Sequence, residues 1–208
     1  MAPPASWCPS GSMRSCTTLA EAASAARACS LCAEHLPLGP RPTFCVSATA
    51  RLLIIGQAPG TRVHETGIPW NDPSGDRLRA WLGMARAEFY DASRIAIVPA
   101  GFCYPGRLAG GGDAPPRPEC APRWHPVLLP LLAEVRLTLL VGHYAQALYF
   151  SRGTVAATVA AWPEALADRK FPLPHPSWRT IAWERKNPRF RDQVIPALRE
   201  AVTHALDG

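Results

Sequence analysis

The chain is short of lysine, of long apolar runs and of ready-made nucleotide-binding motifs. Lys170 and Lys186 are its only lysines, so nearly all of the 22 basic side chains are arginine. No stretch approaches the ~18 successive apolar residues of a transmembrane helix, so no helical membrane span is expected. Residues 1–15 (MAPPASWCPSGSMRS) do not set an apolar run behind a basic start. No secretory signal is therefore expected, and the stretch reads as a flexible tail before a single domain over residues 16–208. The chain has neither G-x-G-x-x-G nor a Walker A loop, so dinucleotide and ATP binding lose support. Internal repeats are missing too. Charged residues are 18 % of the chain and hydrophobic residues 48 %, ordinary for a soluble globular protein. The formal charge of +6 permits phosphate binding without requiring it.

Cysteine is what the chain does have. Seven cysteines, an odd number, with no export signal point to a reducing, cytoplasmic setting. Cys29 and Cys32 form a C-x-x-C pair inside a predicted helix, and Cys103 and Cys120 stand either side of the Pro/Gly-rich segment 104–118. Two close and two distant thiolates can close a four-thiolate site for an iron–sulfur cluster or zinc, stapling the N-terminal segment to the middle of the chain. Disulfides are the alternative. Cys8, Cys16 and Cys45 carry no assigned role.

Hydrophobic patterning orders the rest. A helix is expected over 17–35, capped by Thr17 or Thr18 and filled by alanines. Short apolar runs at Arg51–Ile55, Ile95–Val98, Leu137–Val141 and Phe171–Pro174 read as buried strands. Helices are expected over 73–83, from Cys120 to Ala133, from His143, and over 188–205 with Pro188 in the first turn. Strands alternating with helices predict an α/β fold: a three-layer α/β/α sandwich around a central, mainly parallel four-stranded sheet. Ligands of such sheets bind beyond the carboxyl ends of the strands.

Three motifs fall there. Gly56-Gln57-Ala58-Pro59-Gly60 follows the first strand; its small residues let backbone amides approach a ligand, though a plain strand-to-loop turn looks the same. In Gly67-Ile68-Pro69-Trp70-Asn71-Asp72-Pro73-Ser74-Gly75-Asp76, Trp70 offers a stacking face. Asp72 can orient a water, and Asp before Pro is equally a helix cap. Pro174-His175-Pro176-Ser177 follows the last strand and holds His175 between prolines. Trp178 and Arg179 come next, either a DNA-gripping pair or a cap over the core.

The GQAPG, GIPW…SGD and PHPS motifs, in this order, resemble the uracil-DNA glycosylase superfamily, and the cysteine spacing resembles its iron–sulfur branch, families 4 and 5. The resemblance covers roughly residues 25–200. It implies excision of uracil, or of other deaminated bases, from single- or double-stranded DNA by a monomeric hydrolase, with a [4Fe-4S] cluster on Cys29, Cys32, Cys103 and Cys120 (zinc being the alternative). It implies base binding by Gly56, Gln57, Ala58, Pro59, Gly60, Trp70, Asn71 and His175, catalysis by Asp72, His175 and Gln57, and DNA contacts from Ser74, Ser177, Trp178 and Arg179. The chain departs from the pattern at Gln57, where family 4 has Glu, and at Ala58, where the best-known uracil excisers have Asp. It departs again at Pro99-Ala100-Gly101-Phe102, where family 4 has a uracil-reading Asn. The Asp-x-Ser-Gly-Asp stretch resembles family 5 and carries the water-serving role to Asp72. Two other readings remain: a non-catalytic member of the fold that binds damaged or single-stranded DNA, and a four-cysteine zinc protein that binds nucleic acid.

Overall fold

Thr18 opens the first helix of the computed structural model, which describes residues 18–150 and 153–208. The expected tail, Cys8, Cys16 and the alternative cap Thr17 lie outside the described residues. The Thr18 hydroxyl accepts from the Glu21 amide and the Glu21 carboxylate accepts from the Thr18 amide, a reciprocal cap at 3.3 and 3.1 Å. Helix α1 (Leu19–Arg27) buries Ala22, Ala23 and Ala26. It ends well short of the expected residue 35, so the C-x-x-C pair is not helical. The Cys29 amide already bonds three residues back, to Ala26, and Cys29, Ser30 and Cys32 are weak helix formers that cannot prolong an alanine-driven helix.

Strand β1 (Leu52–Ile55) leads through α2 (Thr61–Thr66), α3 (Pro73–Leu82) and α4 (Arg86–Phe89) to β2 (Ile95–Ile97). Next come α5 (Cys120–Leu128), β3 (Leu137–Val141), α6 (His143–Tyr149), α7 (Val155–Ala160), α8 (Trp162–Ala167), β4 (Lys170–Leu173), α9 (Thr180–Lys186) and α10 (Ile195–Asp207). All four strands are parallel, in the order β2-β1-β3-β4, with Leu52 opposite both Ile95 and Leu137, and Leu139 opposite Phe171. Pro172 cannot donate to a ladder, and it sits in β4 at the sheet edge, where that is tolerated.

Alternation along the strands builds two cores. Leu52, Ile54, Leu139, Val141, Phe171 and Leu173 face one side and meet α3 (Leu78, Trp81, Leu82) and α10 (Leu198, Val202). Leu53, Ile55 and Leu140 face the other and meet the alanines of α1, Trp124 and Leu128 of α5, and Ala145 of α6. Each fully buried leucine or isoleucine contributes ~1.5–3 kcal/mol, so the sheet is held from both faces, as a three-layer α/β/α sandwich. The chain is helical from Pro188 as expected, but Phe190–Val194 is a π-helical turn before α10. Pro196, at the start of α10, has no N–H to return to the preceding turn. Among the described residues no helix is long and apolar enough to cross a membrane.

Candidate active site at the carboxyl ends of the strands

The first, second and fourth strands deliver their following residues into one cavity of about 80 Å³. Gly56, Gln57, Ala58, Pro59 and Gly60 line it after β1, Pro99 after β2 and His175 after β4, with Trp70, Asp72 and Ser74 from the turn into α3. Most of these residues lie in the motifs singled out from the sequence; Thr43, Val63 and Asp113 line the cavity from outside them.

The segment after β1 is oriented by its own carbonyls. The Gly56 carbonyl accepts from the Ala100 amide at 2.9 Å and the Gln57 carbonyl from the Gly101 amide at 2.8 Å. Peptide planarity then turns the N–H groups of Gln57 and Ala58 the opposite way, so they are the donors available to a ligand. Gly56 carries the Trp70 ring directly, for a Cβ there would stand 2.7 Å from that ring.

Trp70 occupies the left-handed region at φ 56°, a conformation that costs a non-glycine residue of order 1–3 kcal/mol and is kept only where neighbours enforce it. The buried Arg79 enforces it here, donating to the Trp70 carbonyl at 3.3 Å and to the Tyr90 hydroxyl at 3.2 Å, with an ion pair to Asp76. The Trp70 ring lies 5.8 Å from the His175 ring, inclined 31° to it.

Asp72 has both of its expected roles within reach. One carboxyl oxygen caps α3, accepting from the Gly75 amide at 2.7 Å, and the residue also lines the cavity. Burial pushes its carboxyl above the usual range, outweighing the Gly75 hydrogen bond, while Asp76 adds to the rise and Arg79 opposes it. Burial pushes His175 the other way, down to about 4. Its imidazole is therefore neutral near pH 7 and can offer an N–H without carrying charge. The His175 carbonyl accepts from the Ser177 amide at 2.8 Å and from the Thr180 hydroxyl, which ties down the following turn.

Asn71 requires a correction. Its side-chain oxygen accepts from Arg86 at 2.8 Å and the residue does not line the cavity. The left-handed turn at Trp70 sends neighbouring side chains apart, so Trp70 and Asp72 face the site and Asn71 pairs with α4. Ser74 does line the cavity. Trp178 is 74 % exposed, which rules out the core-capping alternative, and the Arg179 guanidinium lies 5.4 Å from the centre of its ring.

Asp113 belongs to the segment 104–118, expected as a long irregular loop. Arg107 and Asp113 pair as an antiparallel bridge around a glycine-rich tip. A glycine run flanked by polar residues is a hairpin signal that could have placed Asp113 near the start of that segment.

A second, smaller cavity of about 20 Å³ is lined by Cys29, Cys32, Cys103 and Cys120 together with Phe102 and Trp124. All four thiols are free. The Phe102 amide donates to the Cys120 sulfur at 3.3 Å. Burial and the neighbouring thiols push Cys103 up to about 11 and Cys120 up to about 12. Among the described residues no three His, Cys, Asp or Glu side chains are gathered so as to hold a metal ion; the thiols surround the cavity without closing on a point.

A family model described as the Uracil DNA glycosylase superfamily matches residues 42–199. The match takes in the main cavity, Cys103 and Cys120, and begins after the C-x-x-C pair.

Proposed function

The chain belongs to the uracil DNA glycosylase superfamily, matched over residues 42–199 of 208, and from that premise we propose that it hydrolyses the N-glycosidic bond of uracil and of other deaminated bases in DNA, leaving an abasic site. The observation that carries this reading is a half-buried carboxyl, Asp72, sharing one cavity with a neutral imidazole, His175. The base must leave the stack to reach such a cavity, at a cost of a few kcal/mol that is least at mismatches. Trp70 stacks on the flipped ring, and the amides of Gln57 and Ala58 bond its edge. As the bond from C1′ to the base nitrogen breaks, the electron pair leaves with the base and the sugar becomes cationic. His175 donates its N–H to the base oxygen on which negative charge grows. Asp72 orients the attacking water and takes its proton. With Pro99 on the cavity wall and no asparagine at 99–102, no amide side chain from that segment selects uracil, which supports a range beyond uracil.

The experiment is excision from labelled oligonucleotides carrying uracil or hypoxanthine, single-stranded or opposite G or A, followed by alkaline cleavage. Strand breakage at the modified base supports the reading. Tight binding without breakage on any substrate refutes it in favour of a non-catalytic DNA-binding member.

The pH profile has a defined shape. His175 is already neutral well below 6.5, so it adds no inflection near that value. Asp72 contributes an acid limb above the ~4 of a free aspartate, because burial raises it. An acid limb unchanged in the single-turnover rates of Asp72→Asn would overturn this assignment.

We also propose that the four cysteines hold a [4Fe-4S] cluster. The donor set fits: four thiols around one cavity, and a backbone amide aimed at a sulfur. Bound iron would supply the positive charge that keeps such raised thiols ionised. The cluster's part is structural, because residues 99–103 run from the cavity wall to Cys103. Purified protein is expected to be brown and to contain iron and acid-labile sulfide. Cys103→Ala is expected to lose the colour and unfold at lower temperature. Colourless protein holding one zinc per chain would point to the alternative.

A further inference from the structure

We propose that Asp113 is a second carboxylate of the excision site, placed against the deoxyribose as that sugar becomes cationic. The inference rests on the glycosylase reading above and extends it to a residue outside every motif that led there.

Hairpin geometry puts Asp113 in place. The Leu108 amide bonds the Gly112 carbonyl at 3.0 Å and the Gly111 amide bonds the Leu108 carbonyl at 2.9 Å, so the tip folds back and returns Asp113 beside Arg107. From there the Asp113 carboxyl reaches the cavity rim, 3.3 Å from where a Cβ on Gly60 would stand. Gly56 and Ile97 are buried within the cavity wall, whereas Asp113 stands at its solvent edge with its carboxyl only partly desolvated. A flipped nucleotide enters base first, so the buried wall meets the base and the rim meets its sugar.

Asp72 lines the same cavity and acts on Asp113 as a like charge; burial and that charge raise the Asp113 carboxyl, and Arg107 opposes the rise. The other groups facing the hairpin are Arg179, whose guanidinium lies 3.7 Å from a Cβ on Gly112, and the neutral His175 in the cavity. In the free protein the two carboxylates repel. A cation forming between them relieves that repulsion, so the effect stabilises the transition state and does not tighten ground-state binding. Asp113 forms no bond in the reaction: the C1′–N bond breaks with its electron pair going to the base, water attacks C1′, and the water proton passes to Asp72.

The test compares wild-type protein, Asp113→Asn and Asp113→Glu in single-turnover excision of uracil, in affinity for an oligonucleotide carrying non-hydrolysable 2′-fluoro-deoxyuridine, and in pH profile. Asp113→Asn is expected to lower the rate roughly 10²-fold, the scale of one preorganised electrostatic group. Affinity for the analogue stays equal or rises. The acid limb moves to lower pH, because the Asp113 carboxyl, raised by burial and by the Asp72 charge, no longer titrates. Asp113→Glu restores part of the rate. An Asp113→Asn rate within about twofold of wild type overturns the inference. So does a fall in rate matched by a fall in affinity with the limb unmoved, the signature of a loop that only packs. Wild-type protein that excises nothing overturns the glycosylase reading, and the inference with it. Wild-type excision with an equally active Asp113→Asn sinks the inference alone.

Discussion

Asp72→Asn is expected to slow excision about 10²–10³-fold while the protein stays folded, the usual share of a positioned base or electrostatic group. Asparagine keeps the acceptor that caps α3, where Asp72 accepts from the Gly75 amide at 2.7 Å, and the two residues are near-equal as caps. What it loses is the charge and the ability to take a proton from water. Asp72→Ala removes the cap as well and should cost a further ~1 kcal/mol of stability. The pair of variants thus separates the two roles of one side chain. Because burial already holds the carboxyl above its ordinary range, Asp72→Asn relieves a desolvation cost, so its thermal midpoint should equal or exceed that of the wild type. Excision at the wild-type rate in Asp72→Asn would remove this residue from the chemistry and shift the water-activating role elsewhere in the cavity.

Why this site could be read in part from one sequence follows from the kinds of residue that form it. Gly56–Gly60 and Pro174–Ser177 stand directly after apolar runs, and in a parallel sheet the ends of such runs converge, so finding the strands found those segments. The four strands were legible to within a residue at each end because short apolar runs bounded by Gly or Pro have few other uses. Turns are where sequence pattern carries least information. The left-handed backbone at Trp70 decides that Asn71 points to Arg86, and nothing in the order Trp-Asn-Asp announces it. Asp113 reaches the site through a bridge to Arg107 across a flexible-looking glycine run. Helix α1 stopped at Arg27 because alanine propensity carries no information about what lies beyond the last buried alanine. The short helices α2, α4, α7, α8 and α9 are too brief for a 3.6-residue period to emerge.

Gly75→Ala is expected to destabilise the protein by about 3 kcal/mol and to abolish excision, although helix propensity alone points the other way. Gly75 lies within α3, where alanine is favoured over glycine by ~1 kcal/mol. A Cβ at that position, however, would stand 1.7 Å from the Trp70 carbonyl oxygen and 2.6 Å from its carbon. Both are backbone atoms, so no rotamer change relieves the contact. The carbonyl cannot retreat without leaving Arg79, which is buried and lies 5.3 and 5.5 Å from the centres of the Phe89 and Tyr90 rings. Overpacking against a held backbone costs typically 1–3 kcal/mol or more, which exceeds the propensity gain and decides the sign. Either way the turn yields, the site is lost: displacing residue 70 lifts its ring from Gly56 and His175, and displacing residue 75 pulls the amide from Asp72. Urea unfolding with parallel excision assays checks this. A Gly75→Ala protein as stable and as active as the wild type would show that the close packing of residues 70 and 75 is not what holds Trp70 and Asp72 in register.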